Sequence, residues 1–446
     1  QREMQKAAQY KGKLTQSGFS LYEALEFNSN ISKEMVRLYS YASMKSDQDT
    51  RVTKYAGMKQ ELSQVFSQYG ALTSFMEPEL LTLTDAQLKK FFEEEKGLET
   101  YRFYLTDLLR KRAHKGSEEV EKVLAYSSLM SGNASNVYST FSNAEFPYAD
   151  IDIDGKTVKL NAANFALYRA SEDRALRKRV FETYFSKLNE FQRTLGTTLY
   201  GNLNTALFYA KARNYNSTLE SALDAGNIPT DVYHNLVKNV NTNIETFHRY
   251  LNLRKRMLGL DTLHYYDLYA PLVEQVDLSY TVEESIDNIV KSLKPLGKIY
   301  VDVSKKAFNE RWIDMYPNEG KRSGAYSNGS AYDVHPYILM NYNGKYNDMS
   351  TLTHELGHTM HSYLTNQKQH FANASYSIFV AEVASTLNEE LLNDFMLKQI
   401  KDDKTRLAIL GNYLEGAKGT LFRQTQFAEF ELMIHDMVSK GQALTG

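Results

Sequence analysis

Helical periodicity is the feature of this sequence that most limits its fold. Apolar residues recur every three or four positions over most of the chain, as they do on the buried face of a helix. Only 7 of the 446 residues are proline, so long helices can run uninterrupted. We therefore expect a mainly α-helical, multi-helix protein. The helix candidates are residues 32–45, 54–76, 84–111, 117–131, 163–225, 229–258, 281–310, 348–364, 378–400 and 404–440.

Two segments break this helical pattern. Residues 149–160 alternate between apolar and polar side chains around Asp154-Gly155, which predicts a β-hairpin. Residues 320–346 combine glycines at turn positions with apolar and tyrosine residues, which predicts two or three short strands. We expect an N-terminal helical domain over residues 1–165. Residues 166–446 are expected to form a second, larger and mainly helical domain that contains the strands of residues 320–346.

Charge and cysteine content exclude several classes of protein. The chain has 52 Lys and Arg residues against 54 Asp and Glu residues, a formal net charge of −2. A nucleic-acid-binding protein would show a basic surplus, so we expect no nucleic-acid partner. With 0 cysteines, the chain has no disulfide framework and no cysteine metal ligand. No apolar run approaches the roughly 18 residues of a membrane span, so no membrane partner is expected either.

The motif that carries chemistry is His354-Glu355-Leu356-Gly357-His358, an HExxH sequence. Residues four positions apart lie on one helical face, so both imidazoles can reach the same ion. Zn²⁺ suits neutral imidazole ligands. Glu355 lies about 100° around the helix from His354, beside the open position of the ion. From there it can accept a proton from a bound water molecule, which makes it the expected general base.

The flanking residues predict that this motif lies on a helix with two distinct faces. Apolar side chains fall together opposite the histidines and would anchor the helix in the core. Asn347 or Asp348 is the expected N-cap. The alternative is a helix with two surface histidines that bind nothing, and the sidedness of the pattern argues against it. The apolar residues are Met349, Leu352, Leu356, Met360 and Tyr363.

A catalytic zinc ion takes a third protein ligand, and Glu382 is the best candidate. It is an acid among apolar residues on the next strong helix, where a charge is costly unless it is paired or metal-bound. Glu389 shares its face and could orient a ligand histidine. His361 lies too far along the helix, and His370 lies in a polar loop. Ordinary salt bridges remain the alternative for both glutamates.

These motifs resemble those of a known family. Residues 354–361 are similar to the HExGHxxH signature of the thimet oligopeptidase family of zinc metallopeptidases, and residues 379–385 resemble its glutamate-ligand helix. The resemblance covers essentially the whole chain. Further stretches resemble the oligoendopeptidase F branch of that family, namely residues 311–314, 320–326, 335–337 and 341–344.

The resemblance implies a fold and a cofactor. The fold would be a mostly helical ellipsoid with a deep central channel and a small β-sheet next to the HExxH helix. One Zn²⁺ ion would be held by His354, His358 and Glu382, with Glu355 as the general base. Glu389 is expected to support one of the ligands from outside the metal shell.

The resemblance also implies a substrate and a location. The enzyme would be a cytoplasmic metalloendopeptidase that hydrolyses internal bonds of short oligopeptides by metal-activated water. Gly324, Ala325 and His335 fall in a substrate-facing strand region, where an extended peptide could pair by β-augmentation. The alternative is an inactive relative or fragment that binds zinc and peptides. The family's C-terminal His- and Tyr-rich region has no counterpart before Gly446, so we expect the oxyanion-stabilising residues to lie outside this sequence.

Overall fold

The computed structural model of the protein describes residues 2–273 and 278–444. Contacts divide the chain into two compact units. The first combines Gln1–Arg112 with Asp277–Lys401, and the second combines Ala113–Val276 with Asp402–Gly446. These units are defined by contacts within the folded chain. The sequence-based boundary after residue 165 refers to separate domains, and it stays a prediction. All the predicted site residues fall within the first unit.

The described residues are mainly α-helical, which confirms the fold class predicted from periodicity. The α-helices are α1 (Gly18–Gln48), α2 (Thr53–Thr73), α3 (Met76–Leu80), α4 (Asp85–Glu94), α5 (Arg102–Arg110), α6 (Glu118–Ser131), α7 (Asn133–Thr140), α8 (Ala162–Tyr168), α9 (Arg174–Glu190), α10 (Gln192–Ala212), α11 (Thr218–Asp224), α12 (Thr230–Thr242), α13 (Ile244–Met257), α14 (Val282–Ser292), α15 (Lys298–Asn309), α16 (Tyr346–Lys368), α17 (Ile378–Gln399), α18 (Asp403–Ala417) and α19 (Gln424–Ser439). Within the described ranges, no helix is both long and apolar enough to cross a membrane.

The strands form two small sheets. The predicted hairpin is confirmed as an antiparallel pair that turns at Asp154 and Gly155, both at positive φ. The second sheet has the order β3-β5-β4, with β3 parallel and β4 antiparallel to β5. The strands are β1 (Asp150–Ile153), β2 (Lys156–Lys159), β3 (Ile313–Asp314), β4 (Tyr326–Asn328) and β5 (Tyr337–Leu339).

Helix starts in the first unit follow local side-chain chemistry. The Gln87 N–H donates to Thr84 Oγ1 at 3.2 Å, and the Thr84 N–H donates back to the Gln87 side chain at 2.9 Å. Thr281 and Glu284 make the same reciprocal pair at 3.2 and 2.8 Å. Each pair satisfies two of the backbone donors that a helix start leaves open, and these two capping boxes begin α4 and α14.

Helix α16 carries the HExxH sequence and has the two faces that the sequence predicts. Met349, Leu352, Leu356 and Met360 are fully buried at 0% exposure, so this face anchors the helix. Tyr363 is only half-buried.

The predicted N-cap of this helix is wrong by two or three residues. The helix begins at Tyr346, and Lys345 occupies the N-cap position. Asp348 is the third helical residue, and its carboxylate accepts the N–H groups of Asn343 and Lys345, each at 3.0 Å. An acidic side chain stabilises the N-terminus of a helix both at the N-cap and within the first turn. The residue type alone therefore could not show where α16 begins.

Helix α17 packs along α16 at Gly357. A Cβ added to this glycine would lie 2.5 Å from the Ser385 Cα and 2.7 Å from the Ala384 carbonyl oxygen. Backbone therefore contacts backbone here, and no side chain fits between the helices. The Asn388 side chain donates to the Thr353 carbonyl at 3.2 Å and accepts from the Tyr300 hydroxyl at 2.9 Å, which ties α15, α16 and α17 together.

The second unit contains a group of paired charged side chains, which we call the Asp267 cluster. Asp267, Arg177 and Arg254 are buried, whereas Arg174 and Glu415 are partly exposed. Asp267 is 0% exposed and accepts both Arg174 Nε and Nη2 and the Arg177 Nη2, all at 3.0 Å. The Arg254 guanidinium donates to backbone carbonyls and, at 2.6 Å, to Glu415. Every charge in the cluster thus has a partner of opposite sign.

Candidate metal centre

Three side-chain atoms converge between α16 and α17. His354 Nε2 and His358 Nε2 are 3.1 Å apart, because residues four apart on a helix present side chains to the same point. Glu382 Oε2, from α17, lies 3.2 Å from the first nitrogen and 3.3 Å from the second. The three atoms form a nearly equilateral triangle. We call this group the His-His-Glu triangle.

A carboxylate outside the triangle directs the Nε2 lone pair of His354 into it. His354 Nδ1 lies 3.3 Å from Glu389 Oε2, which is the contact predicted for Glu389. A carboxylate at Nδ1 holds the proton there and leaves Nε2 as an acceptor. The hydrogen bond to Glu389 raises the pKa of His354. Burial lowers the pKa of His358, against smaller opposing effects that include the Glu382 charge and a hydrogen bond with the Ala381 backbone.

Glu382 reaches the triangle from an exposed position. Its side chain is 60% exposed, and the neighbouring Phe379 and Val383 are each 62% exposed. The apolar neighbours that the sequence places around Glu382 are thus exposed together with it among the described residues. Its carboxylate is held by the Ser385 hydroxyl, which donates to Glu382 Oε2 at 2.8 Å.

Glu355 lies beside the triangle and is 7% exposed. Desolvation by burial raises the pKa of Glu355. The positive form of His354 and a hydrogen bond from the Ser327 backbone N–H oppose this shift, while Glu382 and Glu389 add to it. Its Oε2 is buried and has no hydrogen-bond partner among the described residues. A buried carboxylate oxygen without a donor is able to accept a proton from a molecule that enters the site.

The residues of the triangle fit a zinc ion. Two imidazole nitrogens and one carboxylate oxygen are a ligand set of catalytic zinc sites. Ligands about 2.0–2.1 Å from a tetrahedral ion lie about 3.3 Å from one another, and the triangle has sides of 3.1, 3.2 and 3.3 Å. Three acceptor atoms this close repel one another unless a cation or protons lie between them.

The predicted substrate-facing residues lie near β4. Gly324, at φ +83°, and Ala325 lead directly into this strand, which is an edge of the three-stranded sheet. The Ser327 backbone donates to Glu355 and so points away from β5. His335 is stacked on Trp312, with ring centroids 4.5 Å apart and an interplanar angle of 1°. His335 does not belong to the group that could hold a metal ion among the described residues. The substrate role of Gly324, Ala325 and His335 stays a prediction.

The rejected ligand candidates have other contacts. The His361 ring stacks on Tyr376 with centroids 3.7 Å apart, and His370 accepts a hydrogen bond from the Ala372 N–H. Sequence reasoning missed Gly357 as the residue that lets α17 approach. The sequence signal that could have found it is a single glycine inside a strong helical pattern. Such a glycine destabilises a helix, so its presence indicates close packing at that position.

Comparisons with known proteins show which family this chain resembles. The model of peptidase family M3 matches residues 167–445, and the model described as oligopeptidase F matches residues 79–148. Oligopeptidase PepF of Bacillus subtilis is 42% identical over 98% of this chain and 65% of its own length. Group B oligopeptidase PepB of Streptococcus agalactiae is 40% identical over 98% of this chain and 72% of its own. This chain therefore spans about two thirds of the length of these relatives.

A solved structure shares the fold as well. Oligoendopeptidase-F from Enterococcus faecium is 33% identical and superposes with a TM-score of 0.71. The match covers 100% of this chain and 74% of that one.

Proposed function

This chain belongs to peptidase family M3, and we propose that it is a zinc-dependent endopeptidase that cleaves internal bonds of short oligopeptides. The observation that carries the proposal is the His-His-Glu triangle with a buried carboxylate beside it whose Oε2 has no donor. His354, His358 and Glu382 would hold the ion. The names of the two bacterial relatives, both called oligopeptidases, support the substrate class.

The residues of the chain have distinct roles in this mechanism. A zinc ion, when bound, supplies Lewis-acid polarisation of a water molecule and of the scissile carbonyl. Glu355 accepts the proton of the attacking water at Oε2 and later delivers it to the leaving amine. Burial favours this role because it raises the pKa of Glu355 towards the pH at which the enzyme works. A group whose pKa lies near that pH can both accept and release a proton. Glu389 holds His354 in the tautomer that can bind a metal.

The edge of β4 would bind the peptide. An extended peptide can add to an exposed strand edge by backbone hydrogen bonds that do not depend on its sequence. Gly324 and Ala325 precede this edge, and Ser327 within it contacts the general base. A peptide paired there would lie beside Glu355. We further propose that the enzyme acts in the cytoplasm, where short peptides arise.

Metal content and peptide cleavage, measured together, test the proposal. We expect about one zinc per chain by mass spectrometry of the purified protein. An internally quenched short peptide should be cleaved, cleavage should stop after chelation, and added Zn²⁺ should restore it. Zinc without cleavage would instead support the inactive, peptide-binding alternative. A chain that neither retains zinc nor cleaves would contradict the metal site itself.

A further inference from the structure

A cleft of about 630 Å³ lies in the first unit, between α1 and the small sheet. Two neighbours on β4 show which face of the sheet it covers. The Ser327 hydroxyl contacts Thr359 of α16 at 2.7 Å, whereas the Tyr326 hydroxyl donates to Asp47 of α1 at 3.1 Å. Successive strand residues point to opposite faces. The cleft is lined by Tyr326 and, among the described residues, by none from α16 or α17, so it is separate from the His-His-Glu triangle.

The lining of the cleft carries a positive charge that the chain does not neutralise. Arg37, Lys45 and Arg311 line it. Within residues 2–273 and 278–444, the side chains of Arg37 and Arg311 form no ion pair, and Lys45 donates to the neutral Gln48 at 3.0 Å. The acid that lines the cleft, Asp314, is already paired with Lys321 at 2.9 Å. An anion would therefore be attracted to this cleft.

The wall formed by the sheet is apolar and holds one unsatisfied donor. Trp312 is 1% exposed, and its Nε1 has no hydrogen-bond partner among the described residues. A buried N–H without an acceptor is costly, so such a group calls for an explanation. Leu339, also buried, pairs with Tyr326 and so lies in the same wall. A ligand that suits the cleft thus has an apolar part as well as an anionic acceptor.

The backbone at Arg311 adds a second unusual feature. Its φ is +62°, a conformation that arginine rarely adopts and that the surrounding structure must hold in place. The strained residue comes directly before Trp312 and β3, so the turn brings its guanidinium to the cleft next to the wall formed by the sheet. Strain of this kind concentrates at binding sites.

We propose that this cleft binds an amphipathic monocarboxylate. The carboxylate would pair with the guanidinium groups of Arg311 and Arg37, whose forked donors match its geometry. The apolar group would lie against Trp312 and Leu339. The volume falls within the range of small-molecule sites, about 300–1,000 Å³. The same chemistry occurs at the C-terminus of a short peptide with a large apolar last residue and in a simple aromatic acid.

Calorimetric titration of the full, metal-loaded chain tests this site. The probes are N-acetyl-L-phenylalanine and its uncharged amide, which differ only in the carboxylate. We expect the acid to bind at least tenfold more tightly than the amide. The same preference for the acid should persist in Glu382→Gln, which weakens the metal site. If the carboxylate of the probe bound to the metal instead, this variant would lose the preference. A third probe, 3-phenylpropionate, separates the two sources: equal affinity indicates a simple aromatic acid, and weaker binding indicates a peptide C-terminus.

Variants of the cleft make the test specific. Arg311→Asn removes the charge and keeps a residue that tolerates positive φ, so it should abolish the preference for the acid without lowering the melting temperature. Arg193→Asn, on the exposed surface of α10, should retain the preference. Equal binding of acid and amide by the wild-type chain, or a preference that survives in Arg311→Asn, would overturn the proposal.

Discussion

The Asp267 cluster and the His-His-Glu triangle are both groups of ionisable side chains. They differ in whether their donors and acceptors are paired within the group. In the Asp267 cluster, guanidinium groups donate to every carboxylate, and backbone carbonyls accept the donors that remain. In the triangle, three acceptor atoms face one another, and the nearby Glu355 Oε2 has no donor among the described residues.

This difference separates a structural cluster from one built for a ligand. A group of charges that satisfies itself is costly to break and has no free donor or acceptor for a ligand. A group whose acceptors converge is complete only when a cation joins it. Substitutions in the two places should therefore affect different measurements, stability in the first and metal binding or turnover in the second.

The largest effect is expected for Glu355→Gln. The amide keeps the shape of the side chain but cannot accept the proton of the attacking water, so kcat should fall by about 10²- to 10⁴-fold. The zinc content should stay at one ion per chain, because Glu355 is not a ligand. Turnover of a quenched peptide and metal analysis on the same preparation measure both. Turnover like that of the wild type would rule out Glu355 as the base.

Matched charge removals distinguish the two clusters next. Asp267→Asn leaves the buried Arg177 guanidinium without its counter-ion and should lower the free energy of unfolding by about 3–5 kcal/mol. Glu382→Gln, on an exposed side chain, should change the stability of the metal-free protein by less than about 0.5 kcal/mol but weaken zinc binding. Urea unfolding and zinc titration of both variants provide the comparison. A strongly destabilised metal-free Glu382→Gln would mean that the triangle is structural.

A smaller loss of metal affinity is expected when the partner of His354 changes. Glu389→Gln removes the carboxylate that fixes the Nδ1 proton, and such losses typically cost about 10- to 100-fold in affinity. Glu390→Gln, at the adjacent and more exposed position, is the matched control and should bind zinc as the wild type does. Competition with a chelator of known affinity measures the difference. Equal zinc affinities of the two variants would mean that Glu389 does not support His354 as a metal ligand.

Gly357→Ala tests the contact between the ligand-bearing helices. The added methyl meets the α17 backbone and should destabilise the protein by about 1–3 kcal/mol. Gly411→Ala in α18 is the control, because nothing lies within 4 Å of its added Cβ. Helix propensity predicts that this control gains up to about 1 kcal/mol. Thermal unfolding that ranks the two variants in the opposite order would argue against a tight contact at Gly357.

Acid should weaken the Asp267 cluster in a defined direction. Burial acts to raise the pKa of Asp267, but hydrogen bonds from Arg174, the His264 backbone and Arg177 outweigh it and hold that pKa below 3.8. A depressed folded pKa contributes stability above the unfolded pKa that is lost as the pH falls through the folded value. The stability gap between wild type and Asp267→Asn should therefore narrow as the pH drops below about 3.8. A gap that stays constant down to pH 2 would contradict this.

Much of the fold could be predicted because it depends on local chemistry. The hairpin at residues 149–160 is confirmed, and the capping boxes that begin α4 and α14 are equally local, since each involves residues within a few positions of one another. β3 was missed. It has only two residues and is a strand because it pairs with β5, some 25 positions further along the chain, which local patterns do not report.

The candidate site could be predicted in its residues but not in all of their physics. Spacing alone brings His354 and His358 together, and the resemblance pointed to Glu382. The exposure of Glu382 could not be predicted, because apolar neighbours in sequence do not reveal whether a helix face is covered. The contact between Glu355 and the Ser327 backbone also lies beyond sequence reasoning, since it depends on how β4 packs against α16.

The contact at Gly357 has a consequence for how the site would meet its ion. Because backbone atoms of α16 and α17 touch there, the separation of the two helices does not depend on any rotamer. Little conformational entropy is then left to lose when the ligands are fixed around a cation, which favours affinity through preorganisation. Selection on metal binding would thus act on a residue that has no side chain and never contacts the metal.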